Sequence, residues 1–215
     1  MTENTSPTRI DSTGAAGPGA LERAPRRLRI DAQRNIDSLL EAAKAAFSTS
    51  GVDAPPKQIA DLAGVGVGTL YRHFPQRSDL VKAVLQREID ACAGAAPALA
   101  AAHEPAAALT MWLHRYTEFL ATKRGLATAL HSGDPAFDAL PGYFMQRLGP
   151  ALGSLLKAAA ASGEIRADIS PKDLLYAVAS LCLPVADEGV AYSQRMVALL
   201  IDGLRSRAGA SQSRS

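Results

Sequence analysis

The chain of 215 residues has two cysteines, Cys92 and Cys182. That is too few for a disulfide framework, and they lie too far apart in sequence for a clustered metal site. Long hydrophobic runs are missing too. None reaches the roughly 18 residues a membrane span needs, and the longest low-polarity stretch, Ala91–Ala102, is mostly alanine. Residues 1–20 carry no basic region followed by an apolar core, so no secretory leader is visible. A soluble, cytoplasmic protein is expected. An excess of charge of one sign is lacking: 23 Lys and Arg face 21 Asp and Glu, a net charge of +2. Global charge therefore names no partner, and any basic surface must be local. There is no nucleophile–base set, no glycine-rich phosphate loop and no pair of carboxylates on one face, which leaves no enzyme chemistry and no cofactor to argue for. His114 and Glu118 stand one helical turn apart, but two ligands do not make a metal site.

Strand-like alternation is not sustained anywhere, and there is no internal repeat. With 47% hydrophobic and 20% charged residues, the balance is that of a globular chain. Residues 1–25, rich in Ser, Thr, Gly, Pro and Ala, cannot bury enough surface to offset their ordering entropy and are read as a tail. A basic arm follows, with Arg23, Arg26, Arg27, Arg29 and Arg34 opposed only by Asp31. Ile36, Leu39, Leu40, Ala43 and Phe47 then recur at helical steps up to Gly51. Further helices are predicted over 57–63, 69–74, 77–93, 106–123, 126–131, 143–162, 171–183 and 191–207. Gly94–Pro97 reads as the end of a unit. Ser170-Pro171-Lys172-Asp173 is a helix-start pattern, with a capping hydroxyl, a first-turn proline and an early acid. The fold class expected is all-α.

The informative stretch is Lys57–Phe74, KQIADLAGVGVGTLYRHF. Two helices meeting at a tight angle need a small contact residue (Ala60), a turn residue tolerating positive φ (Gly64) and apolar inner faces (Ile59, Ala63, Val65, Leu70). That is helix-turn-helix spacing, in which the second helix enters a major groove. Thr69-Leu70-Tyr71-Arg72-His73-Phe74-Pro75, followed by Arg77, Ser78, Asp79 and Leu80, resembles the DNA-binding domain of the TetR (tetracycline-repressor-like) family of transcriptional regulators. The resemblance covers about residues 34–90. The rest of the chain is similar only in layout, including the Gly163–Asp168 turn before a capped helix.

The resemblance implies roles by position. Leu70 and Phe74 are core anchors. Tyr71 and His73 fall where the family contacts phosphates, and Val67, Gly68 and Thr69 lie at the groove-facing end of the reading helix. Lys57 opens the second helix as a base or phosphate contact, Arg77 opens the fourth close to the DNA backbone, and Arg26, Arg27 and Arg29 are placed to enter a minor groove, unless the arm is only a solvated tail. Lys57 to Arg87 holds five basic residues against two acids, a local net charge of +3. Two departures stand out. Pro55-Pro56 replaces the hydroxyl residue usual before the second helix, and Gly66 and Gly68 flank Val67, leaving a reading helix poor in base-specific side chains.

In the second half, eight of the eleven aromatics gather. Trp112, Tyr116 and Phe119 step by four and three along one face, as either bundle core or the wall of a ligand pocket. The resemblance implies such a pocket, with Trp112, Tyr116, Phe119, His131, Tyr143 and Phe144 as its candidate lining. Leu174, Leu175, Val178, Leu181 and Cys182, then Tyr192, Met196, Leu199, Leu200 and Leu204, form wide apolar faces, with Val197 and Ile201 as additional apolar positions suggesting a second buried side. The family pairs these helices in a homodimer. The expected organisation is a tail at 1–25, a three-helix helix-turn-helix DNA-binding domain at 26–90, a helical effector-binding and dimerisation domain at 91–207 and a tail at 208–215. The expected function is sequence-specific binding of a pseudo-palindromic DNA operator, with release by a small molecule. The alternatives are a regulator without ligand response and an architectural DNA-binder.

Overall fold

The computed structural model describes residues 19–182 and 190–205. The expectations placed on residues 1–18 and 208–215, and the breakers Pro184 and Gly189, lie outside the described residues. Among the described residues there is no strand. The helices are α1 (Gly19–Ser50), α2 (Pro56–Ala63), α3 (Val67–His73), α4 (Arg77–Ala102), α5 (Pro105–Gly125), α6 (Ala127–Leu130), α7 (Leu140–Ala161), α8 (Pro171–Leu181) and α9 (Val190–Arg205), with a short 3-10 turn at Pro135–Phe137.

Two boundaries differ from the sequence reading by more than three residues. α1 begins at Gly19, so residues 19–25 are helical instead of belonging to the tail. α4 continues through Gly94–Pro97 to Ala102, where an end was expected. Pro97 removes one helical hydrogen bond, but the alanines around it favour helix strongly enough to carry the turn on. The division expected after residue 90 therefore falls inside a helix.

α4 is the hub of the molecule, packed against α1, α5 and α7. Val81, Val84, Leu85 and Ile89 are buried along it and join one hydrophobic cluster that runs from Leu39 on α1 to Leu204 on α9. At the far end Ser170 caps α8 as its sequence predicts, its Oγ accepting from the Asp173 N–H at 3.0 Å. α9 turns Ser193, Val197, Ile201 and Leu204 inward, against α5. The two residues read as its spare apolar positions are thus its inner face. Tyr192 and Met196 are left half-buried and Leu199 is 64% exposed.

Candidate DNA-binding surface and cavity

Proline and glycine set the angle between α2 and α3. Pro55 is extended, with φ −60° and ψ 134°, and Pro56 opens α2 with its φ already fixed; no side chain caps the helix. Gly64 ends α2 in the left-handed region at φ 69°, where a side chain would be strained. The Val65 N–H donates to the Ala60 carbonyl at 3.0 Å and the Gly64 N–H to that of Asp61 at 3.2 Å, a pairing that closes the helix end. The chain re-enters helix at Gly66, which offers no side-chain cap; the Thr69 N–H bonds the Gly66 carbonyl at 2.9 Å. Ile59, Ala60, Leu70 and Phe74 are buried beneath this turn.

The outward face of α3 carries the groups that the sequence singled out. Tyr71 is 50% exposed, His73 and Thr69 are half-buried, and Gly68 and Arg72 are exposed. A Cβ added at Gly66 or Gly68 meets nothing within 4 Å, so packing inside the protein does not require either glycine. Val67 is half-buried against the core. Lys57 is exposed and held by Asp61 on its own helix at 2.7 Å. Arg26, Arg27 and Arg29 fall on helical backbone in α1; their side chains lie outside the described residues.

The local charge of +3 is largely committed to structure. The Arg77 guanidinium donates to the Val52 carbonyl and, at 3.1 Å, to that of Ala54, clamping the α1–α2 loop where a phosphate contact was expected. Arg87 bonds the Asp37 carbonyl at 2.8 Å and Glu41 at 2.9 Å. Of the five basic residues, Arg72 and Lys82 have no ion pair or hydrogen bond among the described residues. Arg72 is the candidate phosphate contact missing from the sequence-based set. Its only signal was its place between Tyr71 and His73.

Past the first turns of α4 lies a cavity of about 380 Å³ between α4, α5, α7 and α8, bordered by α6 and the 3-10 turn. Tyr116, Phe119, His131 and Phe144 line it, joined by Phe137, Leu85 and Ile89. Trp112 and Tyr143 do not. Trp112 is fully buried, its Nε1 donating to the Cys92 carbonyl at 2.9 Å; its indole stacks on Tyr116 with ring centroids 5.8 Å apart. Tyr143 points to the α4–α7 seam, where its hydroxyl donates to Asp90 at 2.7 Å and Arg147 holds the same carboxylate at 2.6 Å. A second hollow of about 300 Å³ lies between α1, α4 and the α5–α6 junction, lined in part by Glu41, Lys44 and Ser48. Phe47 is the single aromatic among its described lining residues.

Burial fixes the protonation of this interior. Desolvation pushes the Cys92 thiol up from its ordinary 9.0 to about 12, against a smaller lowering pull from Arg115. It pushes the Tyr116 phenol up as well, while its hydroxyl donates to the Leu175 carbonyl at 3.2 Å. Both groups are neutral at neutral pH, so Cys92 is no reactive thiolate. The sign for stability follows from the raised values. The folded state is favoured fully below the ordinary values and loses that contribution as pH climbs above about 9. No group of three or more metal-binding side chains occurs among the described residues, and no described helix is long and apolar enough to cross a membrane.

Comparison with known proteins bears on both halves. Residues 39–84 match the family described as "Bacterial regulatory proteins, tetR family". Residues 104–206 match the one described as "Transcriptional regulator SbtR-like, C-terminal domain". A helix-turn-helix-type transcriptional regulator of Staphylococcus aureus is 42% identical over 64 residues, a stretch spanning 29% of this chain and 35% of that protein. Among solved structures, a TetR transcriptional regulator from Streptomyces coelicolor is 38% identical, with a TM-score of 0.69, covering 79% of this chain and 98% of its own. A TetR transcription regulatory protein from Mycobacterium vanbaalenii is 34% identical, with a TM-score of 0.65, covering 83% of this chain and 99% of its own.

Proposed function

The chain belongs to the TetR family of transcriptional regulators, not enzymes, and from that premise we propose that it is a homodimeric repressor which a small-molecule effector releases from a pseudo-palindromic DNA operator. The observation that carries the reading is the split across α3. Leu70 and Phe74 lock one side into the core, while Tyr71 stands half exposed with Arg72 and His73 beside it. Tyr71, His73 and Arg72 donate to phosphates; Val67, Gly68 and Thr69 face the groove. Lys57 exchanges Asp61 for DNA, and Arg77 acts by fixing the α1–α2 loop. Arg26, Arg27 and Arg29 add backbone contacts.

The DNA-binding unit is residues 26–90 and the effector and dimerisation unit 91–207, with α4 common to both. Leu80 and Val81 of α4 sit in the N-terminal core, and Leu85 and Ile89 one to two turns on line the cavity. A ligand that moves the aromatic wall therefore tilts α4 against α1, the helix on which α2 packs, with α3 packed on α2 in turn. Leu199, with Tyr192 and Met196, supplies the apolar face that the partner covers, setting two reading helices about 34 Å apart. The protein works in the cytoplasm, where its DNA lies.

Selection of bound sequences from a random DNA pool, followed by anisotropy titration across salt, tests the reading. Expected are a two-fold symmetric consensus, affinity falling steeply with salt, and loss of binding in Tyr71→Ala. Equal affinity for random duplex overturns the operator and leaves an architectural DNA-binder; an operator complex that no effector dissociates leaves a regulator without ligand response.

A further inference from the structure

We propose that the cavity is shaped for an amphipathic organic anion, its apolar body lying on the aromatic wall and its acidic head held at the α5–α6 end by Lys123. The proposal rests on reading the cavity as the effector site. At about 380 Å³, it lies near the small end of the roughly 300–1,000 Å³ of ligand pockets, so one small molecule fills it. Phe119, Phe137 and Phe144 supply apolar surface. The Tyr116 hydroxyl is already spent on the Leu175 carbonyl and offers a ligand head nothing.

Charge in the lining is one-sided, the Tyr176 phenol adding a neutral polar group. Lys123 and His131 both line the cavity, and no carboxylate does. Lys123 has no ion pair or hydrogen bond among the described residues. By contrast, Lys44 nearby on α1 is held by Glu88 at 2.7 Å, and Arg147 on α7 by Asp90. His131 has its Nδ1 at 2.7 Å from the Ala127 carbonyl, so Nδ1 is the N–H donor; Nε2 of the neutral ring is then an acceptor, and Lys123 is the group that holds an acidic head. Aromatic walls also attract cations through their ring faces. Here an entering cation would meet the Lys123 ammonium with no carboxylate to offset the repulsion. The wall alone admits either sign; the mouth selects the anion.

Three probes that share a ten-carbon chain separate the head group from the chain: decanoate, 1-decanol and decylamine, each below its micelle-forming concentration. Binding to the full chain is followed calorimetrically and by the fluorescence of Trp112, the single tryptophan, which stacks on the cavity residue Tyr116. Decanoate is expected to bind about tenfold tighter than the alcohol, the lower end of what a charge-assisted hydrogen bond supplies, and tighter still than the amine. Lys123→Gln brings decanoate down to the alcohol, and Lys123→Glu moves the preference to the amine. Lys123 is exposed, so both variants fold as the parent does. Equal binding of acid and alcohol, an unchanged preference in the variants, or no binding of any probe overturns the proposal. Operator release, read in the same titrations, keeps the two readings apart. Release by alcohol as readily as by acid sinks the head-group assignment and spares the effector reading. Acid-selective binding without release does the reverse.

Discussion

Tyr71 and Tyr116 are the same residue used in opposite ways. On α3 the Tyr71 ring is 50% exposed, on a seven-residue helix with a bare glycine start. On α5 Tyr116 is 1% exposed, stacked between Trp112 and Phe119, its hydroxyl satisfied by a carbonyl of α8. The reading helix is held by two anchors, Leu70 and Phe74, and keeps its polar tips uncommitted. The body of the molecule satisfies every polar tip that it buries: no buried side-chain nitrogen or oxygen is left without a partner among the described residues. Recognition of an outside partner needs donors with nothing to lose by leaving water; a core needs the reverse.

Trp112→Ala attacks the packed side of this contrast most severely. It removes the largest fully buried side chain and its Nε1 bond to the Cys92 carbonyl, for an expected loss of about 3–5 kcal/mol in denaturant unfolding. A loss under about 1 kcal/mol would mean that the stack is not the core it looks like. A matched pair of hydroxyl deletions sharpens the contrast further. Tyr71→Phe is expected to weaken operator binding about tenfold while stability stays within roughly 0.5 kcal/mol. Tyr116→Phe is expected to lose about 1 kcal/mol of stability with operator affinity unchanged. If the two variants behave alike, the contrast between the helices fails. The smallest effect is Gly68→Ala. With nothing within 4 Å of the new Cβ, stability should rise by up to about 1 kcal/mol, while operator affinity falls because the methyl stands between the helix and the groove. A gain in both would show that Gly68 faces no DNA.

The apolar period of 3.6 and the breakers made the helices legible, and Ala60, Gly64 and Leu70 placed the helix-turn-helix correctly. The failures have identifiable causes. Gly94 and Pro97 look like a stop, yet α4 runs on because alanines fill the turns around them and α5 and α7 pack on the helix. Arg77 reads as a free cation because the carbonyls it clamps are more than twenty residues away in the chain. Trp112 and Tyr143 share a helix face with cavity residues, but bonds to Cys92 and Asp90 turn them elsewhere.

Local chemistry, readable from the order of residues, determined the helical class, the turn at Gly64 and the donors carried on α3, because each depends on neighbours within a turn or two. Which of those donors stay free, which aromatics enclose a cavity, and which charge stands unpaired at its mouth were decided only when distant segments met. A hydrogen-bond partner or a missing counter-charge is a property of the surroundings, and the surroundings of Arg77, Tyr116 and Lys123 are assembled from helices far apart in the chain.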